Sequence, residues 1–279
     1  MRGLETIAVL CPVCGSGSDT LFMEVRGYRV VRCLGCGFLF VNPRPTEAAL
    51  ATLYAGANPY HGEAFEPTAG EHPVVARLAA QLRRRAGGTR LLEVGCGRGD
   101  FLRAAAAAGF AVSGCDFFGP DRPAIAGAQL HDGPLARVRL PAASFDVIVS
   151  RNTLEHLFDP RAEMEEMARL LKPGGLLYTK VPNVAYEHGW LSRLVFREPH
   201  KLEPPYHLNY FDAPALRRFL ASAGLHLTRW TLERPSRQQS LKANLARETY
   251  YRTSLVLAAV SGGRVFPRII LSCLAVKRG

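Results

Sequence analysis

From residue 89 onward the chain alternates short apolar runs with helical patterns: "TRLLEVG", "FLRAAAAAG", "FAVSGCD", "SFDVIVS", "PRAEMEEMARLLKPGG", "LLYTKVP", "APALRRFLASAG" and "LHLTRWTLE". Parallel strands cannot be joined by tight hairpins, so each needs a crossover, usually a helix. The rhythm therefore predicts an α/β fold: βαβ units around a mostly parallel sheet with helices on both faces. "IILSCLAVKR" at 269–278 adds a last strand, and the basic stretch at 233–252 reads as irregular or as a helix outside the sheet. No repeat of solenoid period interrupts this order.

With 279 residues, 48% hydrophobic and 21% charged, there is room for one full domain and a small appendage. The longest apolar stretches, at 104–112 and 254–260, fall well short of the roughly 20 residues that span a bilayer. A soluble, cytoplasmic chain is expected. Lys and Arg exceed Asp and Glu by 35 − 24 = 11. An excess of that size suits acidic partners, yet the basic residues are scattered, with "RRR" at 83–85 the one triplet, so a merely solvated surface explains it better.

Ahead of the sheet, "CPVCG" and "CLGCG" place Cys11, Cys14, Cys33 and Cys36 in two matched knuckles. Four soft thiolates in two tight turns suit tetrahedral Zn²⁺ at about 2.3 Å per bond. Gly15 and Gly37 follow the second cysteine of each pair, where positive φ lets the backbone turn its amides to the sulfurs. The intervening Phe22, Val25, Tyr28 and Val30 read as the short strands of a zinc ribbon. Iron uses the same tetrad. Two disulfides are the other arrangement, and the N-terminus offers no secretory signal to favour them. The expected divisions are a ribbon at 1–45, a helical linker or lid at 46–75 whose helix starts near Thr46, and the α/β domain at 76–279. Asp212 is placed to cap a further helix with Pro214 in its first turn.

"LLEVGCGRGDF" lies where the first strand of the sheet meets its first helix, the end at which open α/β sheets bind ligands. Gly95, Gly97 and Gly99 clear the backbone for a close ligand, and the helix N-terminus offers free N–H groups. The dinucleotide pattern would need a third glycine at Asp100. Glu93 ends the strand with a carboxylate, and Asp116 ends the next, about where an acid grips ribose hydroxyls. That pairing suits a cationic ligand better than a pyrophosphate.

The ordered set "LLEVGCGRGDFL", "GCD", "SFDVIVSRNTLEHLFDP" and "LLKPGGLLYTKVPN" resembles the successive motifs of class I S-adenosylmethionine-dependent methyltransferases over about residues 75–232. The resemblance implies a Rossmann-like seven-stranded sheet in the order 3-2-1-4-5-7-6 with the last strand antiparallel. It also implies S-adenosyl-L-methionine as cofactor, with Glu93, Gly95, Cys96 and Gly97 shaping the methionine pocket. Asp116 and Phe117 would meet ribose and adenine, and Arg151 and Asn152 the pocket mouth. Two features depart from the family. "FFGPDRPAIAGAQL" is short and Pro-interrupted where a helix is usual, and the acid after the third strand has no clear counterpart, Asp132 being nearest.

A base is needed only if the methyl acceptor is a hydroxyl, an acidic carbon or an ammonium. His156, in "LEHLFDP", and His207, in "PPYHLNYFD", are the candidates by residue type and by position after the fourth and fifth strands. Each could instead cap, pack or order a loop. Tyr206, Tyr210 and Trp190 read as walls, and Cys96, Cys115 and Cys273 as small core residues.

Three functions are compatible with these features. A methyltransferase acting on oxygen or carbon of a small-molecule or sugar-type acceptor leads, because a four-cysteine ribbon joined to this core resembles deoxysugar C-methyltransferases; their further C-terminal domain has no counterpart before Gly279. A ribosomal RNA base methyltransferase with a zinc module is the second. A non-catalytic cofactor-binding or protein-interaction module is the third. Oligomeric state is not encoded in any motif.

Overall fold

A computed structural model describes residues 4–57, 71–117, 124–185, 202–231 and 270–278, with the pairs 248–249, 252–253, 256–257 and 260–261. Residues 58–70 of the expected lid, Trp190 and most of 233–252 lie outside the described residues. The N-terminal segment forms β1 (Thr6–Ile7), β2 (Asp19–Val25), β3 (Tyr28–Cys33), β4 (Leu39–Val41) and β5 (Arg44–Pro45). It is followed by α1 (Glu47–Ala57), where Thr46 Oγ1 accepts from Ala49 N at 3.2 Å and caps the helix as its sequence suggests.

The main domain runs through α2 (Glu71–Arg85), β6 (Arg90–Val94), α3 (Asp100–Ala107), β7 (Ala111–Asp116), β8 (Gln129–Asp132), β9 (Phe145–Arg151), α4 (Pro160–Leu170) and β10 (Leu171–Pro182). Then come β11 (Asn209–Tyr210), α5 (Ala213–Ser222), β12 (Leu225–Thr231) and β13 (Ile270–Lys277). Seven of these strands form one sheet in the order β12-β13-β10-β9-β6-β7-β8. Counted along the domain, that is 3-2-1-4-5-7-6 read from the other edge. β13 alone is antiparallel to both neighbours, and the remaining neighbouring pairs are parallel.

Strands buried on both faces need continuous apolar runs, because consecutive side chains point to opposite sides. β6 shows the consequence. Leu91 joins the core built with Leu82, Phe101 and Leu102 of α2 and α3. Leu92 joins the opposite core with Met164 and Met167 of α4 and Phe219 of α5. Asp212 caps α5 by accepting from Ala215 N at 2.7 Å, with Pro214 in the first turn. The helical reading of "LLKPGG" ends early: β10 begins at Leu171, and its register against β9 shifts between Leu171 and Leu176, around the glycine pair.

The N-terminal sheet is not self-contained. Its order is β11-β4-β3-β2, so the strand at one edge, residues 209–210, comes from the main domain and pairs with β4. Cys11, Val13, Phe38 and Phe40 lie in the same core as Leu154, Phe211 and Phe219. This two-residue strand and shared core place the ribbon directly against the segment that carries His207.

Candidate active site and four-cysteine cluster

The glycine loop joins β6 to α3 beside the end of β7. Gly95 has φ +74°, and a Cβ there would lie 2.1 Å from Thr153 Oγ1, so backbone and space both exclude a side chain. Thr153 is itself fixed by donating to Val94 O at 3.1 Å. At Gly97 a Cβ would meet, among the described residues, only Asp116 Oδ2, at 4.0 Å. Here the missing side chain leaves open space, which is what a ligand approaching the backbone requires. Gly97 N donates to Asp116 Oδ2 at 2.5 Å, and Phe117 N donates to Asp116 Oδ1 at 2.7 Å, so the acid is anchored at the strand end. Phe117 is half-exposed beside it.

Glu93 is buried, and its Oε2 has no hydrogen-bond partner among the described residues. Burial pushes its carboxyl up to about 8; the Arg151 guanidinium opposes that rise, and Asp116 and Asp100 add to it. Arg151 ends β9 and lies 5.5 Å from the Phe101 ring centroid. Asn152 turns with φ +51° and donates its N–H to Lys180 O at 2.8 Å. An orphaned buried carboxyl oxygen on the strand that leads into an open glycine turn fits an ammonium group, so the donor set fits S-adenosylmethionine. These residues would hold its methionine end, and the cofactor would supply a methyl group already activated on a sulfonium.

Between β7 and β8, residues 118–123 lie outside the described residues, and with them both prolines of the segment expected to depart from the family. Asp132 is the register partner of Asp116. The next turn is closed by Glu163 of α4, which accepts from Leu135 N and Ala136 N, each at 3.1 Å. Burial raises this carboxyl to about 7. Cys96, Cys115 and Cys273 are buried, in keeping with a packing role.

A second pole lies after β9. His156 Nδ1 is 2.9 Å from Tyr206 O. A carbonyl only accepts, so Nδ1 carries the proton and Nε2 keeps its lone pair. His207 packs edge-on against His156 with ring centroids 4.7 Å apart. Thus the two histidines singled out from separate motifs meet. Burial and the neighbouring His207 push the His156 imidazole down to about 3, against the pull of the Tyr206 carbonyl, and burial takes His207 down to about 4.

Three participants were not singled out from the sequence. Glu155, almost fully buried, brings Oε1 to 4.0 Å from His156 Nε2. Tyr54 of α1 places its hydroxyl 3.5 Å from His156 Nδ1 and from Tyr206 O. Arg44, 1% exposed, donates to Phe158 O at 2.6 Å and to Asn209 Oδ1 at 3.3 Å. Asn209 then donates to Leu154 O at 3.0 Å and Leu157 O at 2.8 Å, bracketing the histidine turn. A lone arginine inside the otherwise apolar and proline-bound "FLFVNPRP" was the available signal.

The four ribbon cysteines converge as spaced. Their sulfurs all lie within 4.8 Å of one another, with Cys11 to Cys36 at 3.6 Å and Cys14 to Cys33 at 3.4 Å. They are free thiols, and the contacts are far longer than the roughly 2.0 Å of an S–S bond. The donor set suits a tetrahedral metal. Arginines from the main domain hold both knuckles: Arg161 Nε donates to Pro12 O at 3.2 Å and Arg218 Nη2 to Cys36 O at 2.7 Å.

Comparison with known proteins agrees with this architecture. A family model described as a methyltransferase domain matches residues 65–229, more than half of the chain. The chain belongs to the class I S-adenosylmethionine-dependent methyltransferases. A "Probable S-adenosylmethionine-dependent methyltransferase" of Mycolicibacterium smegmatis is 31% identical over 156 residues, covering 53% of this chain and 56% of the relative. A "Ubiquinone biosynthesis O-methyltransferase" of Idiomarina loihiensis is 31% identical over 153 residues, covering 46% and 62%. The chain thus spans little more than half the length of these curated relatives.

Among solved structures, the 1,6-didemethyltoxoflavin-N1-methyltransferase of Burkholderia thailandensis superposes with a TM-score of 0.56 at 14% identity, covering 94% of this chain and all of that one. The [4+2]-cyclase SpnF superposes at 0.53 with 20% identity, covering 84% and 97%. These likenesses establish the fold; the second, a cyclase by its description, shows that one fold carries different chemistries.

Proposed function

We propose that this protein transfers the methyl group of S-adenosylmethionine to an oxygen or carbon of a small-molecule or sugar-type acceptor. The observation that carries the reading is the meeting of His156 and His207 beyond the β9 end, one strand from the glycine loop. Glu93, Gly95, Cys96 and Gly97 hold the methionine part of the donor, Asp116 and Phe117 its nucleoside, and Arg151 and Asn152 border the mouth. His156 and His207 assist loss of the acceptor's proton, a step that oxygen and carbon acceptors both require. The Ubiquinone biosynthesis O-methyltransferase relatives support oxygen as the acceptor atom.

The cysteine cluster is assigned to structural Zn²⁺, which four closed thiolates favour. Elemental analysis of the purified chain should return zinc; iron would give a coloured protein and overturn the assignment. The division into a ribbon at 1–45, a linker or lid at 46–75 and a methyltransferase domain at 76–279 belongs to the same reading. No described helix is long and apolar enough to cross a membrane.

The test is a labelled-donor screen across sugars, nucleotide sugars, phenols, other hydroxylated metabolites and ribosomal RNA. Label should enter a small acceptor, and His156→Ala and His207→Ala should each slow transfer by roughly 10²-fold or more. Label entering only RNA, with binding that weakens steeply as salt rises, would replace this acceptor class.

A further inference from the structure

Glu155, His156 and His207 present a carboxylate and two imidazoles whose ligand-capable atoms all lie within 4.8 Å of one another. The Glu155 and His156 side chains are only 3% and 18% exposed. We propose that they form a second metal site, distinct from the cysteine cluster, that takes a divalent transition-metal ion and presents it to the acceptor. The inference rests on the reading of this pole as the acceptor site.

The geometry supports an ion in three ways. His156 Nδ1–H is committed to the Tyr206 carbonyl at 2.9 Å, leaving Nε2 on the Glu155 side. An outer N–H tied to a backbone carbonyl is the usual companion of a metal-bound histidine. The ligand-bearing segments are locked together, since Leu208 N and Asn209 N both donate to Glu155 O, at 2.7 and 3.1 Å. Bonds of about 2.0–2.2 Å would draw the three ligand atoms closer together than they stand here. Finally, two nitrogens and one carboxylate leave coordination positions open, the pattern of catalytic rather than structural sites.

The donor set selects the ion and the acceptor. Imidazole nitrogens suit Zn²⁺, Mn²⁺, Co²⁺ or Fe²⁺ and not the oxygen-seeking Mg²⁺ or Ca²⁺. Open positions on one side favour an acceptor with two neighbouring oxygens, such as a vicinal diol or a hydroxy ketone, whose coordinated hydroxyl loses its proton more readily.

Protein carrying one zinc per chain, enough for the cysteine cluster alone, is titrated with Co²⁺ or Mn²⁺ and followed by calorimetry and electron paramagnetic resonance. The expected result is one further equivalent per chain. Glu155→Gln and His207→Ala should lose it while keeping ribbon zinc and S-adenosylmethionine binding, which report an intact fold. No further equivalent in the wild type, or equal uptake by both variants, overturns the proposal. If no ion binds but His207→Ala still abolishes methyl transfer, the ion falls and the acceptor-site reading stands. If the ion binds and is lost in His207→Ala while methyl transfer is unchanged, the metal site stands and the acceptor-site reading falls.

Discussion

At the scale of single residues, Gly95 and Gly97 do different work, and substitution separates them. Gly95→Ala forces a Cβ onto Thr153 at a left-handed φ; stability should drop by about 1–3 kcal/mol or more, and donor binding with it. Gly97→Ala meets no clash among the described residues. It should cost at most about 1 kcal/mol at its φ of +49° while sharply weakening S-adenosylmethionine binding, because the Cβ fills the ligand's approach. Calorimetric titration beside chemical denaturation reads both; a Gly97→Ala chain that binds donor normally contradicts the loop's assigned role. Glu93 carries a pH signature. Its folded value of about 8 lies above the ordinary 4.5. Its contribution to the ligand-free fold is therefore full below about pH 4.5 and is lost as pH rises through about 8. Glu93→Gln removes the titration, so the stability gap should shift in favour of the variant by on the order of a few kcal/mol from pH 5 to 9. A gap that stays constant across that range contradicts the burial argument.

At the scale of elements, β4, β5 and β11 are the short pieces that hold the proposed acceptor pole. Arg44 in β5 carries the link. Burial lowers its guanidinium only to about 10, with Asp159 and Cys11 opposing, so it stays charged at neutral pH. Charge-assisted hydrogen bonds of this kind contribute about 1.5–3 kcal/mol each. Arg44→Met should lose roughly that much stability and most acceptor turnover, while donor affinity is kept. Arg44→Lys keeps the charge without the planar fork and should recover only part of the turnover. Equal losses of donor and acceptor binding would make Arg44 a general core residue.

The same elements mark how far the sequence could be read. Long strands such as "FDVIVSR" and the loop at 93–97 announce themselves by apolar continuity and glycine spacing, and the cysteine knuckles by ligand chemistry. β11 is two residues long and carries no periodicity, so its pairing with β4 is set by tertiary contact alone. His156 and His207 were readable by residue type. Their proximity was not, because it depends on Asn209 and Arg44 joining segments more than a hundred residues apart. Glu155 stood in plain view in "LEH", but an acid beside a histidine has no signature until the fold buries it.

At the scale of the whole molecule, the proposed donor and acceptor poles rest on different supports. The glycine loop belongs to the seven-stranded sheet, whereas the histidine pair is held between that sheet and the ribbon. Stripping metal from the four cysteines should therefore abolish acceptor turnover and leave most donor binding, since small metal modules rarely hold their fold unaided. Loss of donor binding in step with metal would mean that the shared core around Phe38 and Phe211 also supports the glycine loop. Calorimetric titration of the intact chain with S-adenosylmethionine should give saturable, single-site binding that Gly97→Ala loses without unfolding. No binding up to about millimolar donor would contradict the assignment of the glycine loop and every step built on it.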